Sequence, residues 1–522
     1  MSRQVVLFLA FLGLGSAGLV TAYLLKPRLA EWKQRRTSDS RDMKATLRIG
    51  VDNWVGYFPL CSPEMKKRMR GAKYLLQCVD DSADYPARMK ALRAGELELA
   101  VATVDSFLLN GAPERFPGVI AAVIDESKGG DAIVGAKNRV RSIDQLKTRP
   151  GLTIAFTPAS PSEHLLKSVA VHFDIPVLRE RKGAWRVEAD GSPAALKKLE
   201  RGEVDAAVLW EPDVSRAASQ ERFVKLLGTE STRRLIVDVL LLGRDFAAKD
   251  PQAVKVLLAN YFRTLQTYQR DPESLTRDLI VSAKLDSRQV EAMLKGVAWA
   301  SLAENAKLWL GLGLGGELGE EGLVDTIESS VQILVESGDF DASPVPQGDP
   351  YRLVDSSFIE ELAKSAAAGQ FGLEAEAAGG QAASLQRDFP PLDDAGWSLL
   401  HEVGTLKVRP ITFQSGTADL SNEGKAELDA AASHLKHYPG FRVVLKGHTG
   451  RRGDAAKNRV LAQERSEAVR RYLTVTHGID GDRLRPLGLG ASAPLSRLPG
   501  ESDRAYDYRL PRVELYLVME NL

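Results

Sequence analysis

The chain has little cysteine, few aromatic residues and no net charge. Its 522 residues include two cysteines, and lysine plus arginine equal aspartate plus glutamate at 69 each. Two cysteines exclude a disulfide-rich scaffold and a cysteine-based zinc module. The balanced charge argues against a strongly basic nucleic-acid binder, so we expect no nucleic-acid partner. The seven histidines are scattered and indicate no metal site, and we expect no cofactor.

The chain contains enough apolar residues to form large hydrophobic cores. Hydrophobic residues make up 44% of the chain and charged residues 26%, which is typical of packed globular domains. At roughly 100–200 residues per domain, the length predicts about two to four domains.

An apolar run without charge occupies residues 5–25. As a helix it would be about 31 Å long, enough to cross a bilayer core. We therefore predict a transmembrane anchor at 1–25, followed by a polar stalk at 26–44. A secretory signal peptide, cleaved after Ala17 or Ala22, is the alternative.

Short apolar strands alternate with helical stretches over residues 45–240. Strands that alternate with helices predict parallel sheets covered on both faces. The predicted strands are 45–51, 73–79, 97–103, 119–124, 132–136, 152–156 and 204–209, and the predicted helices of this region and the segment after it are 61–69, 86–94, 251–270 and 323–336.

Two segments repeat one pattern of helix, glycine turn and buried strand. They are ALRAGELELAVA at 91–102 and LKKLERGEVDAAVL at 196–209. The repeat predicts two similar α/β lobes, each with ligand-facing loops at the strand ends.

Six motifs follow one another in this region and carry a family resemblance. They are VDNWVGYFPL at 51–60, ALRAGELELA at 91–100, TVD at 103–105, DESKGGDAI at 125–133, SIDQLK at 142–147 and GEVDAAVLWEP at 202–212. The set resembles periplasmic solute-binding proteins of the nitrate/sulfonate/taurine and thiamine-precursor (NMT1-like) class, which serve ABC transporters. The resemblance implies a two-lobed clamshell over residues 45–364, closing on a small solute, and export from the cytoplasm.

Candidate ligand-binding residues lie in the loops that should converge between the lobes. Aromatic rings there suit a planar or apolar part of a ligand, and free helix N-termini favour anions. A core position for Trp54 and ordinary helix capping by Ser160 and Ser162 are the alternatives. The candidates are Trp54, Tyr57, Thr103, Asp105, Ser106, Asp125, Ser160, Ser162, Trp210 and Glu211.

The charge of the ligand stays open at this point. Carboxylates outnumber cations near the predicted cleft loops, where Lys128 is the one evident cation. An amine-bearing or neutral heterocyclic ligand therefore competes with an anion such as a sulfonate, and carboxylates that cap helices or pair between lobes are the alternative. The acidic residues are Asp105, Asp125, Asp131, Glu163 and Glu211.

Cys61 and Cys78 both fall in the first predicted lobe, where Cys61 opens a helix and Cys78 lies late in a strand. They form either a disulfide in an oxidising periplasm or two buried free thiols. His164, in a predicted cleft helix, is the one candidate for catalysis; a structural role is its alternative, and we expect no enzymatic activity.

A second pattern begins after a segment rich in alanine, glycine and glutamine. We predict a flexible linker at 365–399, with a short helix at 372–378, which lets the folded parts move independently. Beyond it, strands and helices alternate as βαβαβ, which predicts an α+β domain. The predicted strands are 406–413, 441–445 and 512–518, and the predicted helices are 423–437 and 458–472.

Residues 400–522 carry four further motifs. They are ITFQSGTADL at 411–420, GHTGRRG at 447–453, NRVLAQERS at 458–466 and RVEL at 512–515. This region resembles the OmpA-like peptidoglycan-associating domain. The resemblance implies peptidoglycan-binding residues at Thr449, Asn458 and Arg465, and Asp454 is a further candidate outside the family's pattern.

One half of that family's binding pair is missing here. The family holds the diaminopimelate of the wall peptide with an aspartate and an arginine. Arg465 occupies the arginine position, but Gly450 stands where the aspartate belongs. Asp454 substitutes for it, or Arg451 and Arg452 recruit an anionic wall ligand, or the domain docks without binding the wall.

Together these parts predict a membrane-tethered periplasmic receptor that binds a small solute and associates with the wall. Positive charges after the apolar run would alone place the bulk in the cytoplasm, but both resemblances imply export. We therefore expect a single-pass inner-membrane protein with its bulk in the periplasm, and a permease or envelope complex as a candidate partner. A scaffold whose clamshell docks a protein is the alternative.

Overall fold

The computed structural model describes residues 43–283, 285–313, 319–367, 389–414 and 416–520. The predicted anchor, the alternative signal peptide, most of the stalk and the centre of the predicted linker, including its short helix, lie outside these residues. None of the helices that are described combines the length and the apolar character needed to cross a membrane.

Three β-sheets organise the described chain into two α/β lobes and a C-terminal α+β domain. The strands are β1 (Ala45–Val51), β2 (Tyr74–Asp80), β3 (Leu99–Thr103), β4 (Gly118–Ser127), β5 (Asp131–Ala136), β6 (Ile154–Phe156), β7 (Arg186–Glu188), β8 (Ala206–Trp210), β9 (Phe223–Gly228), β10 (Val237–Gly243), β11 (Val297–Trp299), β12 (His401–Thr405), β13 (Arg442–His448), β14 (Leu484–Gly490) and β15 (Arg512–Met519). The α-helices of the lobes are Phe58–Cys61, Pro63–Gly71, Tyr85–Arg93, Val104–Gly111, Ile143–Thr148, Pro161–His172, Ser192–Glu200, Asp213–Ala218, Arg244–Lys249, Pro251–Arg270, Pro272–Ala283, Ser287–Lys295, Leu302–Glu304, Gly322–Glu336 and Ser357–Ala367. Those of the C-terminal domain are Asp394–Leu399, Asn422–Lys436, Ala455–His477 and Asp503–Arg509.

The first lobe is built on a sheet of order β11-β4-β10-β3-β1-β2. Alternate residues of a strand point to opposite faces, and both faces of this sheet are covered. Leu99 and Val101 of β3 join one apolar core, and Ala100 and Ala102 join the other. Helix Ser357–Ala367 also packs into the first of these cores.

The second lobe is built on a sheet of order β7-β6-β8-β5-β9. The prediction of parallel sheets holds only in part. The β1–β2, β1–β3, β6–β7 and β6–β8 pairs are parallel, but β10 runs antiparallel to β3 and β4, and β5 antiparallel to β8 and β9. The physical reason is that the chain passes between the lobes twice, after β4 and again after β9. Each passage inserts a strand that runs against its neighbours.

The C-terminal domain has sheet order β12-β15-β13-β14 with helices Asn422–Lys436 and Ala455–His477 against it. The strand predicted at 406–413 is wrong: the strand is β12, and most of 406–413 is irregular. Pro410 lacks an N–H for a strand ladder. The sequence also misses β14, an edge strand interrupted by Pro486.

The end of the predicted linker belongs to the C-terminal domain. The carbonyl oxygen of Pro390 accepts a hydrogen bond from Arg442 Nη2 at 2.7 Å, and the Phe389 ring centre lies 5.1 Å from the same guanidinium. Residues 394–399 form a helix. The linker prediction is therefore wrong for residues 389–399, which are anchored by hydrogen bonding and cation–π contact.

The C-terminal domain packs on the second lobe instead of standing apart from it. Phe173 of the lobe and Tyr438 of the domain are both buried in one apolar cluster, with ring centres 5.5 Å apart. The Thr405 hydroxyl donates to Asp144 Oδ2 at 2.7 Å, and the Lys407 N–H donates to the His172 carbonyl at 2.6 Å. A continuous core of this kind opposes the independent movement that the linker predicts.

The same domain also contacts the segment that links the lobes after β9. The N–H of Arg233 donates to the carbonyl of His437 at 2.9 Å, and the N–H of Gly440 donates to the carbonyl of Ser231 at 3.2 Å. These backbone bonds join the end of helix Asn422–Lys436 to one of the two interlobe connections.

Three histidines meet at this interface. The ring of His172 lies 5.0 Å from that of His434 and 5.6 Å from that of His437, and its Nδ1 is 2.8 Å from the Tyr438 hydroxyl. Burial lowers the pKa of all three imidazoles, and their mutual proximity lowers that of His172 further. The charged groups that act on them are Lys407, Glu336, Arg234, Asp325 and Glu126.

This cluster predicts a loss of stability in mild acid. A histidine whose pKa is lowered by folding contributes stability above its unfolded pKa of about 6.5 and loses it as the pH falls below that value. Each histidine should remove up to about 1.4 kcal/mol per pH unit in that range. Thermal melts of wild type and His172→Gln between pH 7 and 5 should therefore converge as the pH falls. His477→Gln, outside the interface, is the control; parallel curves for His172→Gln and wild type would contradict the prediction.

Candidate functional site

A narrow cleft between the two lobes collects aromatic and acidic side chains. The cavity inside it is small, about 40 Å³. The residues that line it are Asp52, Trp54, Tyr57, Ala83, Tyr85, Thr103, Asp131, Ser160, Pro161, Trp210, Ile236 and Asp238.

Strand register places two carboxyl groups side by side at the floor of the cleft. Asp238, at the start of β10, is paired with Thr103 on β3 and with Asp125 on β4. The Tyr57 hydroxyl donates to Asp238 Oδ1. Burial raises the pKa of both carboxyls, that of Asp125 to about 8. The charges of Asp131 and Glu126 raise the pKa of Asp125 further, and the charge of Asp125 raises that of Asp238.

Trp54 covers Asp125. Its indole Nε1 donates to Asp125 Oδ1 at 3.2 Å. The glycine in the W-V-G-Y turn is required here, because a Cβ on Gly56 would collide with the Asp125 carboxyl and the Trp54 indole nitrogen. The turn that follows β1 thus fixes an aromatic ring over a buried acid.

A buried arginine of the first lobe holds Asp52, one of the residues that line the cavity. Arg88 donates to Asp52 Oδ2 at 3.0 Å and also pairs with Asp81, while the Tyr85 hydroxyl donates to the same Asp52 oxygen at 3.3 Å. Burial alone would lower the pKa of Arg88, but these carboxylates outweigh it and raise the pKa above its usual value. The positive charge of Arg88 is therefore committed to its own two partners.

Asp131 stands where the chain enters the second lobe. Ser127 Oγ donates to its Oδ2 at 2.7 Å. Burial raises the pKa of the Asp131 carboxyl to about 7, and the charges of Asp105 and Glu211 raise it as well. Asp105 belongs to the first lobe and Glu211 to the second, so acidic groups of both lobes act on this carboxyl.

The structure brings five of the ten predicted ligand residues to the cavity, namely Trp54, Tyr57, Thr103, Ser160 and Trp210. Asp125 lies behind Trp54. Asp105 and Ser106 are buried beside Thr103, with Thr103 Oγ1 2.9 Å from Ser106 Oγ.

The remaining two predicted residues, Ser162 and Glu211, do not line the cavity. Ser162 is fully buried. Glu211 caps a helix, because its carboxylate accepts from the N–H and hydroxyl of Ser215 at 3.1 and 2.7 Å. Ser160 also caps a helix by accepting from the Ser162 N–H at 3.2 Å, as the capping alternative predicts.

The sequence does not identify Asp52, Tyr85, Asp238 or the supporting Arg88 as residues of the site. It places Asp131 near the cleft but not among the ligand-binding candidates, and the structure places it in the cavity lining. Asp52 directly follows β1, so the rule that ligand-facing loops lie at the ends of parallel strands could have identified it. Asp238 lies at the start of an antiparallel strand, where that rule does not apply.

A larger cavity, of about 340 Å³, lies beside the interlobe segments. Three of the four cations that line it are paired: Lys128 Nζ is 2.7 Å from Glu126, Arg233 is 3.0 Å from Glu320, and Arg234 lies within 2.9 Å of both Glu320 and Asp325. We place the candidate solute site in the interlobe cleft instead. Its lining combines aromatic rings with carboxyl groups and includes no lysine or arginine among the described residues.

The two cysteines are joined. Cys61 and Cys78 form a disulfide with Cα atoms 6.2 Å apart. Cys61 ends helix Phe58–Cys61 instead of opening a helix as the sequence predicts, because Pro63 starts the next one. The bond ties the turn after Trp54 to β2.

The C-terminal domain presents part of the predicted wall site. Arg465 Nε donates to the Thr417 carbonyl at 3.2 Å, and its guanidinium lies 4.9 Å from the Phe413 ring centre. Burial lowers the pKa of Arg465. Thr449 is buried and its N–H bonds to the Gly490 carbonyl at 2.9 Å, while its hydroxyl has no partner in the described structure.

The groups offered as substitutes for the missing aspartate are engaged elsewhere. Asp454 caps helix Ala455–His477 by accepting from the Lys457 N–H at 2.9 Å. Arg451 and Arg452 both pair with Asp507, at 3.0 and 3.3 Å. Asn458 Nδ2 donates to the Arg452 carbonyl at 3.0 Å. A Cβ on Gly450 would meet nothing within 4 Å, so the position itself has room for an aspartate.

The OmpA family matches residues 412–507. The peptidoglycan-associated lipoprotein of Pseudomonas putida is 33% identical over 113 residues, which cover 22% of this chain and 67% of that protein. The lipoprotein of the same name from Pseudomonas aeruginosa is 34% identical over 113 residues, covering 22% and 66%. The chain thus spans about two thirds of the length of these relatives. Through its C-terminal domain, the chain belongs to the OmpA family.

Solved structures of periplasmic binding proteins resemble the two-lobed part. A putative sulfonate-binding SsuA of Methylobacillus flagellatus aligns over 65% of this chain and 99% of its own, with TM-score 0.48 and 13% identity. The aliphatic sulphonate-binding SsuA of Escherichia coli aligns over 59% and 98%, with TM-score 0.46 and 18% identity. These scores lie below 0.5, so the two-lobed architecture rests on this chain's own strand order.

The raised pKa of Asp125 predicts an unusual stability profile. A carboxyl whose pKa rises on folding stabilises the fold below its unfolded pKa of about 4 and loses that contribution as the pH rises toward 8. Asp125→Asn keeps the neutral shape, so its melting temperature should exceed that of wild type at pH 8, by about 2 °C or more, and the gap should close toward pH 4. The exposed control Asp245→Asn should show no such gap. A gap that grows in acid would contradict the assignment.

Proposed function

We propose that this chain is a periplasmic receptor that binds a small solute between its lobes and is held at the cell wall by its C-terminal domain. The observation that carries the proposal is the cleft itself. Its aromatic and acidic lining comes from both lobes, and two chain passages connect those lobes. Such an arrangement lets a solute bridge the lobes and favour their closed state.

The wall part of the proposal is supported by the OmpA domain and by Arg465 at the family's arginine position. Membrane attachment through residues 1–25, a single-pass location and delivery to a permease belong to the proposal. A tether would raise the effective concentration of the receptor near a membrane partner.

A thermal-shift screen of the full chain tests solute binding. The panel comprises sulfonates, nitrate, phosphate, polyamines and pyrimidines. A ligand at one hundred times its Kd adds about 2.7 kcal/mol of stability, which should raise the melting temperature by about 2 °C or more. The shift should vanish in Trp54→Ala and persist in Trp397→Ala, the same change on the C-terminal domain.

Wall binding is tested by sedimenting the full chain with purified peptidoglycan. The full chain is required because residues such as Tyr438 are buried against the second lobe. Gly450→Asp restores the missing carboxylate and should tighten binding by about tenfold or more, since one partner of a desolvated charge pair is worth roughly 2–5 kcal/mol. Arg465→Ala should weaken it.

Gly71→Asp provides the matched control for the wall experiment. It introduces the same charge in the first lobe, where an added Cβ also meets nothing, and it should leave sedimentation unchanged. Equal pelleting of wild type and Gly450→Asp would show that the missing aspartate is irrelevant to binding.

A scaffold is the second candidate function. The observation that favours it is the small volume of the cleft cavity, together with a C-terminal domain that packs on the second lobe. In that case, the full chain should melt cooperatively and no member of the solute panel should shift the transition.

A further inference from the structure

The charge in the cleft points to the class of solute. We propose that the interlobe cleft binds a small organic cation, an amine or a quaternary ammonium. This proposal rests on the receptor function above and names the ligand class of the same site.

Carboxyl groups in the cleft outnumber the cations available to them. Asp52, Asp131 and Asp238 line the cavity, and Asp125 lies directly behind Trp54. No lysine or arginine lines this cavity within the described part of the chain. Arg88 is held by Asp52 and Asp81. An anion entering this space would meet buried carboxyls without a free counter-charge, which disfavours sulfonates and nitrate.

Closure of the lobes makes this imbalance worse. Asp105 from the first lobe and Glu211 from the second both repel charge on Asp131. A cation between the lobes would offset this repulsion and let these groups stay ionised as the lobes approach. A positively charged ligand therefore favours the closed state, as a receptor requires.

Two polar side chains beside the cavity lack partners. Ser160 and Pro161 line the cavity at the start of helix Pro161–His172. In the same first turn, the Ser162 hydroxyl and both ring nitrogens of His164 are buried and have no hydrogen-bond partner in the described structure. Neither side chain lines the cavity itself. Because buried polar groups are normally satisfied, we expect a water molecule or a further polar group behind Ser160 and Pro161. Burial lowers the pKa of His164, so a neutral imidazole adds no positive charge.

Aromatic faces supply the second element of cation recognition. Trp54, Tyr57 and Tyr85 from the first lobe and Trp210 from the second line the same cavity. The negative face of an aromatic ring attracts ammonium groups, and a cage of such rings suits a quaternary ammonium. Tyr57 and Tyr85 already donate their hydroxyls to Asp238 and Asp52, which places rings and carboxyls next to each other.

Binding of a cation to this site should release protons. Burial raises the pKa of Asp131 to about 7 and that of Asp125 to about 8, so both carboxyls are partly protonated at neutral pH. A bound cation favours their ionised forms. The groups that face them are Ser127, Trp54, Asp238, Glu126, Asp105 and Glu211.

Isothermal titration of the full chain provides the test. The cation probes are ethylammonium, tetramethylammonium and putrescine, and the anion probes are nitrate and ethanesulfonate, the size match of ethylammonium. At least one cation should bind, with affinity about tenfold higher at pH 8 than at pH 6. Its heat should depend on the ionisation enthalpy of the buffer, because protons are released.

Variants link the binding to the cleft. Asp131→Asn removes a charge but keeps the shape of the protonated acid, so it should fold and bind the cation at least tenfold more weakly. Trp54→Ala should lose binding as well. Asp245→Asn and Trp397→Ala, equivalent changes outside the cleft, should bind as wild type does.

The possible results separate this proposal from the receptor function. An anion that binds in a Trp54-dependent manner, without any cation binding, overturns the cation proposal and leaves the receptor standing. Cation binding that is unaffected by Asp131→Asn overturns the assignment to this cleft. A folded chain that binds none of the five probes also overturns the cation proposal, and the wider solute panel then decides the receptor function.

Discussion

The double passage of the chain between the lobes is the constraint on which the cleft depends. It inserts β10 between β3 and β4, so that Asp238 is held in register with Thr103 and Asp125. It also places Asp131 at the entrance to the second lobe. Backbone pairing therefore fixes the carboxyl groups of the cleft before any ligand arrives. The acidic side chains at these positions then favour a positively charged ligand over an anion.

Much of this architecture could be predicted from residue patterns, because the ends of parallel strands have a known place. Thr103 ends β3, and Trp54 lies in the turn after β1, and both line the cleft cavity. Asp238 could not be placed, since it begins an antiparallel strand whose partners are far away in sequence. Arg88 lies on a helix that shows no local sign of its buried pairing with Asp52 and Asp81.

The packing of the C-terminal domain shows a different limit of sequence reasoning. Val403, Leu406 and Tyr438 are apolar positions that would suit that domain's own core. In the structure they join an apolar cluster with Phe173 and other residues of the second lobe. Periodicity identifies which residues are buried, but it does not identify what buries them. The polar contacts that define the interface, such as Thr405 with Asp144, carry no local signal either.

The backbone contacts between the C-terminal domain and the segment after β9 have a mechanical consequence. The domain follows the first lobe in the chain, packs on the second, and holds the connection between them through Arg233 and Gly440. The domain therefore bridges the second lobe and one of the two connections between the lobes. A force applied to this domain would therefore reach that connection through two backbone hydrogen bonds.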